Sequence, residues 1–413
     1  MTGEVRRHWR ELGPGLITGA ADDDPSGIAT YSQAGAQFGF QLAWTVVLTL
    51  PLMIAIQLVS ARIGRVTGRG LASNIRAHLP GPIVYAVVAL LFIANTINVA
   101  ADIAAMAESV HLVAGGNAAA LAVAFGAVCL GLEVFMSYRS YVRYLKWLTL
   151  ALFAYVGVVL VVDVQWADLL AGLVPRFEHS SGAVLLIVAV FGTTISPYLF
   201  FWQAAQEVEE ARSERSGARR ATSTRRQLRR IEFDTLTGMV FSNLIALAII
   251  VSAAATLHHA GIARIETSAQ AAQALRPIAG PFAFLLFSLG IIGTGLLAVP
   301  VLAGSAAYAV AETFRWRRGL DLKPRQARGF YAIVALATAL GVALDLTGID
   351  PIRALVWAAV INGVTAVPIM AVMMLVAADR RVLGSFAVRG WLGVFGWLAV
   401  ATMAAAAIAM VVV

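Results

Sequence analysis

The sequence predicts an all-α integral membrane protein with about 11 transmembrane helices. Of its 413 residues, 60% are hydrophobic and only 13% are charged, whereas a typical soluble domain is about 45–50% apolar and about 25% charged. The hydrophobic residues form blocks of roughly 20 residues, the length at which a helix crosses a bilayer. This composition excludes a soluble enzyme and a disordered chain, and the single cysteine, Cys129, excludes a disulfide scaffold.

The hydrophobic blocks define eleven predicted spans within a single membrane domain, residues 1–413. We assign residues 13–162 to a first five-span repeat, residues 183–377 to a second, inverted five-span repeat, and residues 391–413 to an extra C-terminal span. The predicted spans, in chain order, are 13–38, 41–61, 82–110, 118–137, 142–162, 183–208, 233–256, 281–311, 329–345, 353–377 and 391–413.

The basic residues predict the orientation of these spans. All but four of the 31 lysine and arginine residues lie in connections on one side, the exceptions being Arg176, Arg264, Arg276 and Arg353. Because basic residues concentrate on the cytoplasmic side of membrane proteins, we expect a cytoplasmic N-terminus and an extracytoplasmic C-terminus in the plasma membrane. The arginine-rich connection between spans 6 and 7 lacks interleaved aromatic residues, so we expect contact with anionic membrane lipid and no nucleic-acid partner.

Acidic and helix-breaking residues interrupt span 1 near its middle. Asp22, Asp23 and Asp24 are followed by Pro25 and, two residues later, by Gly27. Proline removes a backbone donor and disfavours helix in the preceding residue. The freed backbone groups are tolerated at membrane depth only where protein buries them or water reaches them, and the carboxylates suit a cation. The sequence leaves open whether Asp22 and Asp23 face this site or an outer vestibule.

Span 6 contains a second interruption, from Gly192 to Tyr198 with Pro197 near its end. Span 6 is the first span of the second repeat, just as span 1 is the first span of the first repeat. Because each repeat has five spans, an odd number, spans 1 and 6 cross the membrane in opposite directions. Interrupted helices at matching positions of inverted repeats are typical of secondary transporters, with the substrate at the breaks. The alternative is a pair of proline kinks that bind nothing.

The residues at the two breaks favour a hard divalent cation. Asp24, the carbonyls freed by the breaks, and the hydroxyls of Thr193 and Ser196 form an all-oxygen set that suits Mg²⁺, Mn²⁺ or Ca²⁺. No lysine, arginine or histidine lies in the core of a span, so an anionic substrate is not expected. Neither a zinc motif nor a Walker-type phosphate loop is found. We therefore expect the metal ion as substrate and no cofactor.

Stretches along nearly the whole chain resemble the Nramp family of divalent-metal transporters, and this resemblance implies the LeuT-type inverted-repeat fold with alternating access. The stretches are GPGLITGAADDDPSGIATYSQAGAQFGF and LVSARIGRVTGRGL in spans 1 and 2, AADIAAMAE in span 3, GLVPRF after span 5, DTLTGMVFSN in span 7, and VINGVTAVPIMAVMM with DRRVLG in and after span 10.

In span 1, the family motif Asp-Pro-Gly-Asn corresponds to Asp24, Pro25, Ser26 and Gly27. The resemblance implies that Asp24 is a metal ligand. The family's asparagine ligand is replaced by Gly27, which offers only its carbonyl.

In span 6, the family motif Met-Pro-His corresponds to Ser196, Pro197 and Tyr198, so a hydroxyl replaces the methionine sulfur. A carbonyl ligand of the family corresponds to Thr193, and a later histidine corresponds to Gln203.

These departures from the family pattern imply a harder and roomier site, which suits a hydrated Mg²⁺ ion and resembles a divergent, magnesium-transporter-like branch of the family. In span 3 the family's aspartate is kept as Asp102, but its glutamate corresponds to Ala105. With the histidines lost as well, proton coupling is left open. Tyr198 could pack or could line the ion, and Asn362 in span 10 could support the site or hydrogen-bond another span.

Three functions follow as alternatives. The first is a uniporter-like carrier of Mg²⁺ that tolerates Mn²⁺, and the second is a proton-coupled Mn²⁺/Fe²⁺ symporter with an altered site. The third is a membrane-embedded enzyme that uses Asp24 and Asp102 as a facing acid pair. An organic-substrate carrier is disfavoured by the carboxylates at the break. We expect a transporter and not an enzyme, and the sequence leaves the oligomeric state open.

Overall fold

The computed structural model describes residues 18–19, 21–135, 149–175, 180–216, 224–320, 322–348 and 350–412, and the side chains of 213–216 are not described. These residues form helices and no strand. Nine helices in this described part of the chain are long and apolar enough to cross a membrane. The all-α prediction is confirmed.

The first half of the chain supplies seven helices among the described residues. They are α1 (Pro25–Phe38), α2 (Ala43–Thr67), α3 (Leu71–His78), α4 (Gly81–Ala114), α5 (Ala118–Phe135), α6 (Phe153–Val161) and α7 (Trp166–Gly172). Helices α1, α2, α4, α5 and α6 correspond to predicted spans 1 to 5. Residues 13–17 of span 1, 136–137 of span 4 and 142–148 of span 5 lie outside the described residues.

The second half of the chain supplies ten more helices among the described residues. They are α8 (Ser181–Thr194), α9 (Pro197–Ser216), α10 (Thr224–Ala253), α11 (Ser268–Ala272), α12 (Arg276–Ala279), α13 (Ala283–Thr313), α14 (Arg328–Asp345), α15 (Pro351–Ala378), α16 (Arg380–Leu383) and α17 (Trp391–Val412). Predicted span 6 is divided between α8 and α9, and spans 7 to 11 correspond to α10, α13, α14, α15 and α17.

Several helices extend beyond the spans predicted from hydropathy. Predicted span 7 begins at residue 233, whereas α10 begins at Thr224 and includes Arg225, Arg226 and Arg229 before the apolar part. Arginine forms helix readily. The hydropathy pattern therefore marks the part of the helix suited to lipid, and the helix itself continues into the basic connection.

Helix α1 lies inside the bundle, and this position places the span 1 break in the protein interior. It contacts α8, α10 and α15, and each residue from Pro25 to Ala36 is buried. Helices α5 and α17, by contrast, bury few residues and present apolar side chains outward, as expected for surfaces in contact with lipid.

Two glycines allow α8 to approach α15 closely, and this contact positions the span 6 break. A Cβ atom added to Gly192 would lie 2.0 Å from the carbonyl oxygen of Ala359 and 2.4 Å from the backbone nitrogen of Gly363. A Cβ added to Gly363 would lie 2.7 Å from the carbonyl oxygen of Val188. Small residues of this kind let membrane helices pack backbone to backbone.

Candidate cation site

The break in span 1 lies at Asp23 and Asp24. Asp22 is helical, Asp23 and Asp24 are not, and α1 begins at Pro25. Asp24 is the N-cap of α1: its Oδ1 accepts hydrogen bonds from the Gly27 backbone N–H (2.7 Å) and from the Ser26 hydroxyl (2.6 Å). An aspartate N-cap followed by proline at the first helical position is a favoured helix start, so the sequence itself restarts the helix here.

The break in span 6 lies at Ile195 and Ser196, between the end of α8 and the start of α9 at Pro197. The Ser196 hydroxyl lies 2.8 Å from the carbonyl oxygens of both Gly192 and Thr193, to which it donates. These carbonyls belong to the last turn of α8, where carbonyl groups have no N–H partner within the helix. Ser196 therefore caps α8 as well as lying at the break.

The two breaks face each other. The hydroxyl of Tyr198 donates to the carbonyl oxygen of Ala21 (3.0 Å), and the hydroxyls of Tyr31 and Thr194 are 3.0 Å apart. A Cβ atom added to Gly27 would lie 3.1 Å from Thr193 Oγ1 and 3.5 Å from Asp24 Oδ1.

The structure thus brings Asp24, Gly27 and Thr193 together, with Ser196 on the adjoining turn. The space beside Gly27 is narrow, because the ring of Tyr31 also lies 3.3 Å from the same point, so the structure does not show the expected extra room at this position.

Helix α4 contributes a residue that the sequence analysis missed. Asn98 is fully buried, and its Nδ2 donates to Asp24 Oδ2 at 3.0 Å. Asp102 follows one turn later, on the same side of α4. It lies close enough to Asp24 for the carboxylates to interact electrostatically, and neither of its oxygens completes a hydrogen bond, although the Ser26 backbone N–H is nearby. Asn98 precedes Asp102 by four residues, which places both side chains on one face of a helix. This spacing could have identified Asn98 from the sequence.

Asp22 and Asp23 point toward α10. The Ser242 hydroxyl lies 2.6 Å from Asp22 Oδ2 and 3.1 Å from Asp23 Oδ1. Both aspartates are buried, so the structure places them in the protein interior. Ser242 was also missed, and a single serine in an apolar span gives no sequence signal for this contact.

Gln203 and Asn362 occupy different surroundings. The Gln203 side chain accepts a hydrogen bond from Thr18 (2.5 Å) and donates to Glu207 (3.3 Å), so it connects α9 to the segment before the span 1 break. Asn362, in α15, is fully buried, and neither end of its amide has a hydrogen-bond partner among the described residues. Within those residues the structure therefore shows no span-to-span hydrogen bond from Asn362.

The donor set at the breaks consists of one carboxylate and neutral oxygens. In the described ranges, no group of three or more histidine, cysteine, aspartate or glutamate side chains could hold a metal ion. Nor does any described lysine, arginine or histidine form an ion pair with Asp22, Asp23, Asp24 or Asp102. Asp24 and Thr193 are each only 1% exposed. This enclosed, acidic, oxygen-lined site can accept a hard cation and offers no counter-charge to an anion.

Comparison with known proteins identifies relatives over almost the full length. The family described as natural resistance-associated macrophage protein-like, Nramp, matches residues 15–413. The divalent metal cation transporter MntH of Verminephrobacter eiseniae is 29% identical over 421 residues, covering 96% of this chain and 86% of that protein. The protein of the same name from Deinococcus radiodurans is 29% identical to this chain. The match covers 94% of this chain and 87% of that protein.

Solved structures share the fold at low sequence identity. The manganese transporter of Eremococcus coleocola, in complex with an aromatic bis-isothiourea substituted compound, has a TM-score of 0.75 and 15% identity, covering 100% of this chain and 87% of that one. Mhp1, a nucleobase-cation-symport-1 family transporter in a closed conformation, has a TM-score of 0.59 and 14% identity. The match covers 97% of this chain and 91% of that one. The predicted LeuT-type fold with interrupted helices in spans 1 and 6 is confirmed.

The relatives are named as transporters, which agrees with the expectation that the chain is not an enzyme. The family match begins just ahead of the first interrupted helix and continues to the end of the chain. On this match, which covers far more than half of its length, the chain belongs to the Nramp family.

Proposed function

We propose that this chain is a secondary transporter that moves divalent metal cations, Mg²⁺ and/or Mn²⁺, across the plasma membrane by alternating access. The observation that carries the proposal is the pair of facing helix breaks around the enclosed carboxylate of Asp24, with no basic partner among the described residues. The names of the relatives, divalent metal cation transporter and manganese transporter, support the substrate class. The N-terminus is cytoplasmic and the C-terminus extracytoplasmic in this proposal, as the basic connections indicate.

The ion in this proposal is bound by Asp24, by the backbone at Gly27, and by oxygens of Thr193 and Ser196. Thr193 Oγ1 is buried and has no hydrogen-bond partner in the part of the chain that the structure describes, which leaves it available to a ligand. Thioether and imidazole groups, which suit softer metals, are not among these donors. Mg²⁺ dehydrates reluctantly and is usually held by one or two carboxylates together with several waters, and a single carboxylate among neutral oxygens fits that pattern.

Uptake into proteoliposomes tests the proposal. Purified protein should admit Mg²⁺ and Mn²⁺ down their concentration gradients, without acidification of the lumen, while protein-free vesicles admit neither. Mn²⁺ entry that acidifies the lumen, with Mg²⁺ inert, would contradict the proposed ion and mode of transport.

That second result is what a proton-coupled Mn²⁺/Fe²⁺ symporter would give, and one observation favours this alternative. Asp102 is a fully buried carboxylate near Asp24, and such a group at membrane depth can carry a proton. A pH gradient imposed across the vesicle membrane separates the two candidates, because it accelerates Mn²⁺ uptake only if protons are co-transported.

Replacing Ser196 with methionine should shift ion preference toward softer metals. The substitution introduces a thioether beside the ion and removes the hydroxyl that donates to the carbonyls of Gly192 and Thr193. We expect the ratio of Mn²⁺ to Mg²⁺ affinity, measured by isothermal titration, to rise roughly tenfold. Ser196→Ala is the control, because it removes the cap of α8 without adding sulfur. If Ser196→Met leaves the ratio unchanged, residue 196 is not a ligand of the ion.

A further inference from the structure

Helix α4 carries an asparagine whose amide is bound at one end only. Asn98 is fully buried; its Nδ2 donates to Asp24 Oδ2 at 3.0 Å, and its Oδ1 has no hydrogen-bond partner among the described residues. Other buried asparagines, Asn95 included, also have an unpartnered amide oxygen, so Asn98 is distinguished by the contact of its other end with Asp24.

The orientation of this amide follows from Asp24. An ionised carboxylate only accepts hydrogen bonds, so the NH₂ end of Asn98 must face it and the carbonyl end must point elsewhere. The two ends of an amide are about 2 Å apart, which keeps Asn98 Oδ1 within roughly 5 Å of the Asp24 carboxylate. Asn98 therefore places a neutral acceptor beside the proposed ligand of the ion.

Another oxygen near the site is also unpartnered. Thr193 Oγ1, on α8, has no hydrogen-bond partner among the described residues. Free acceptors on two helices call for a ligand that brings its own donors. The water molecules retained by a divalent cation are such donors, because the cation polarises their O–H groups and strengthens the hydrogen bonds they donate.

We propose that Asn98 is an ion-selecting residue of the transport site: its Nδ2 holds Asp24, and its Oδ1 accepts a hydrogen bond from a water molecule retained by the bound cation. This inference rests on the proposed transport of divalent cations and goes further by naming how the ion is distinguished. Gly27 provides no side chain on α1, so the amide that contacts the hydrated ion comes from α4 instead.

The consequence is a preference for Mg²⁺. Mg²⁺ loses its water molecules less readily than larger divalent ions do. A site that accepts a hydrogen bond from a retained water therefore favours Mg²⁺. Removing the acceptor should weaken the binding of Mg²⁺ more than that of Mn²⁺. A merely structural role for Asn98 would change the transport of both ions to the same extent.

The test uses full-length protein in proteoliposomes, with the KM for Mg²⁺ and for Mn²⁺ measured separately. Asn98→Leu removes both ends of the amide at similar volume. Asn95→Leu is the matched control, because Asn95 is a buried asparagine of the same helix whose NH₂ group binds Leu302 and Ser305 of α13 instead of Asp24. Asn98→Ala replaces the leucine variant if that variant does not elute as a folded monodisperse protein.

We expect Asn98→Leu to raise the KM for Mg²⁺ roughly tenfold more than the KM for Mn²⁺. Asn95→Leu should keep the wild-type ratio of the two KM values. A ratio that is unchanged in Asn98→Leu, or changed equally in Asn95→Leu, would overturn the inference while leaving the proposed function intact. Wild-type protein that transports neither ion would overturn both.

Discussion

Replacing Asp24 with asparagine is expected to abolish divalent-cation uptake and to lower cation affinity by about a hundredfold or more, equivalent to about 2.7 kcal/mol. Asparagine keeps an oxygen that accepts from the Gly27 backbone N–H, so the start of α1 is preserved while the charge is lost. Because Asp24 is the carboxylate at which the two breaks meet, its replacement removes the negative charge closest to the proposed ion. Isothermal titration and vesicle uptake measure the two effects.

Asp350 provides the matched control for this substitution. It also caps a helix that begins with proline, and its Oδ1 accepts from the Arg353 backbone N–H at 2.9 Å, but it is exposed at the end of α15. Asp350→Asn should therefore keep wild-type uptake. Persistent uptake in Asp24→Asn would remove Asp24 from the transport site and contradict the proposed function.

Replacing Gly192 with alanine is expected to destabilise the protein strongly. The added Cβ would meet the Ala359 carbonyl oxygen at 2.0 Å, and this atom belongs to the backbone of α15 and cannot rotate away. Overpacking of this kind typically costs about 1–3 kcal/mol and more where backbones must separate. The thermal unfolding midpoint in detergent should fall by several degrees, and transport should fall with it because α8 carries Thr193.

Gly131→Ala is the control for the same chemical change. Gly131 lies within α5, and a Cβ atom there would meet nothing within 4 Å. Alanine is favoured over glycine inside a helix by about 0.5–1 kcal/mol, so this variant should be as stable as the wild type or slightly more stable. Equal losses of stability in the two variants would show that α8 and α15 are not packed as closely as described.

The sequence predicted the helix breaks because their causes are local. Pro25 and Pro197 disfavour helix immediately before them, and Asp24 is a strong N-cap, so short-range rules identify where both helices stop and restart. The number and order of the spans also follow from hydropathy. The helix ends do not, since α10 extends to Thr224 through residues that are polar and yet favour helix.

The arrangement of side chains around the break could not be predicted in the same way. Asn98 reaches Asp24 from a helix 74 residues away in sequence, and Ser242 reaches Asp22 across 220 residues. Such contacts depend on how helices pack, which hydropathy does not specify. Ser196 shows the same limit, because its residue type suggested an ion ligand while its hydroxyl also donates to the end of α8.

The most direct test of a cation site at the two breaks is the position of bound Mn²⁺, located by its anomalous scattering in crystals of the wild-type protein. The proposed function predicts a peak between Asp24 and Thr193, lost in crystals of Asp24→Asn. A peak elsewhere in the protein that persists in Asp24→Asn, with none between the breaks, would contradict it.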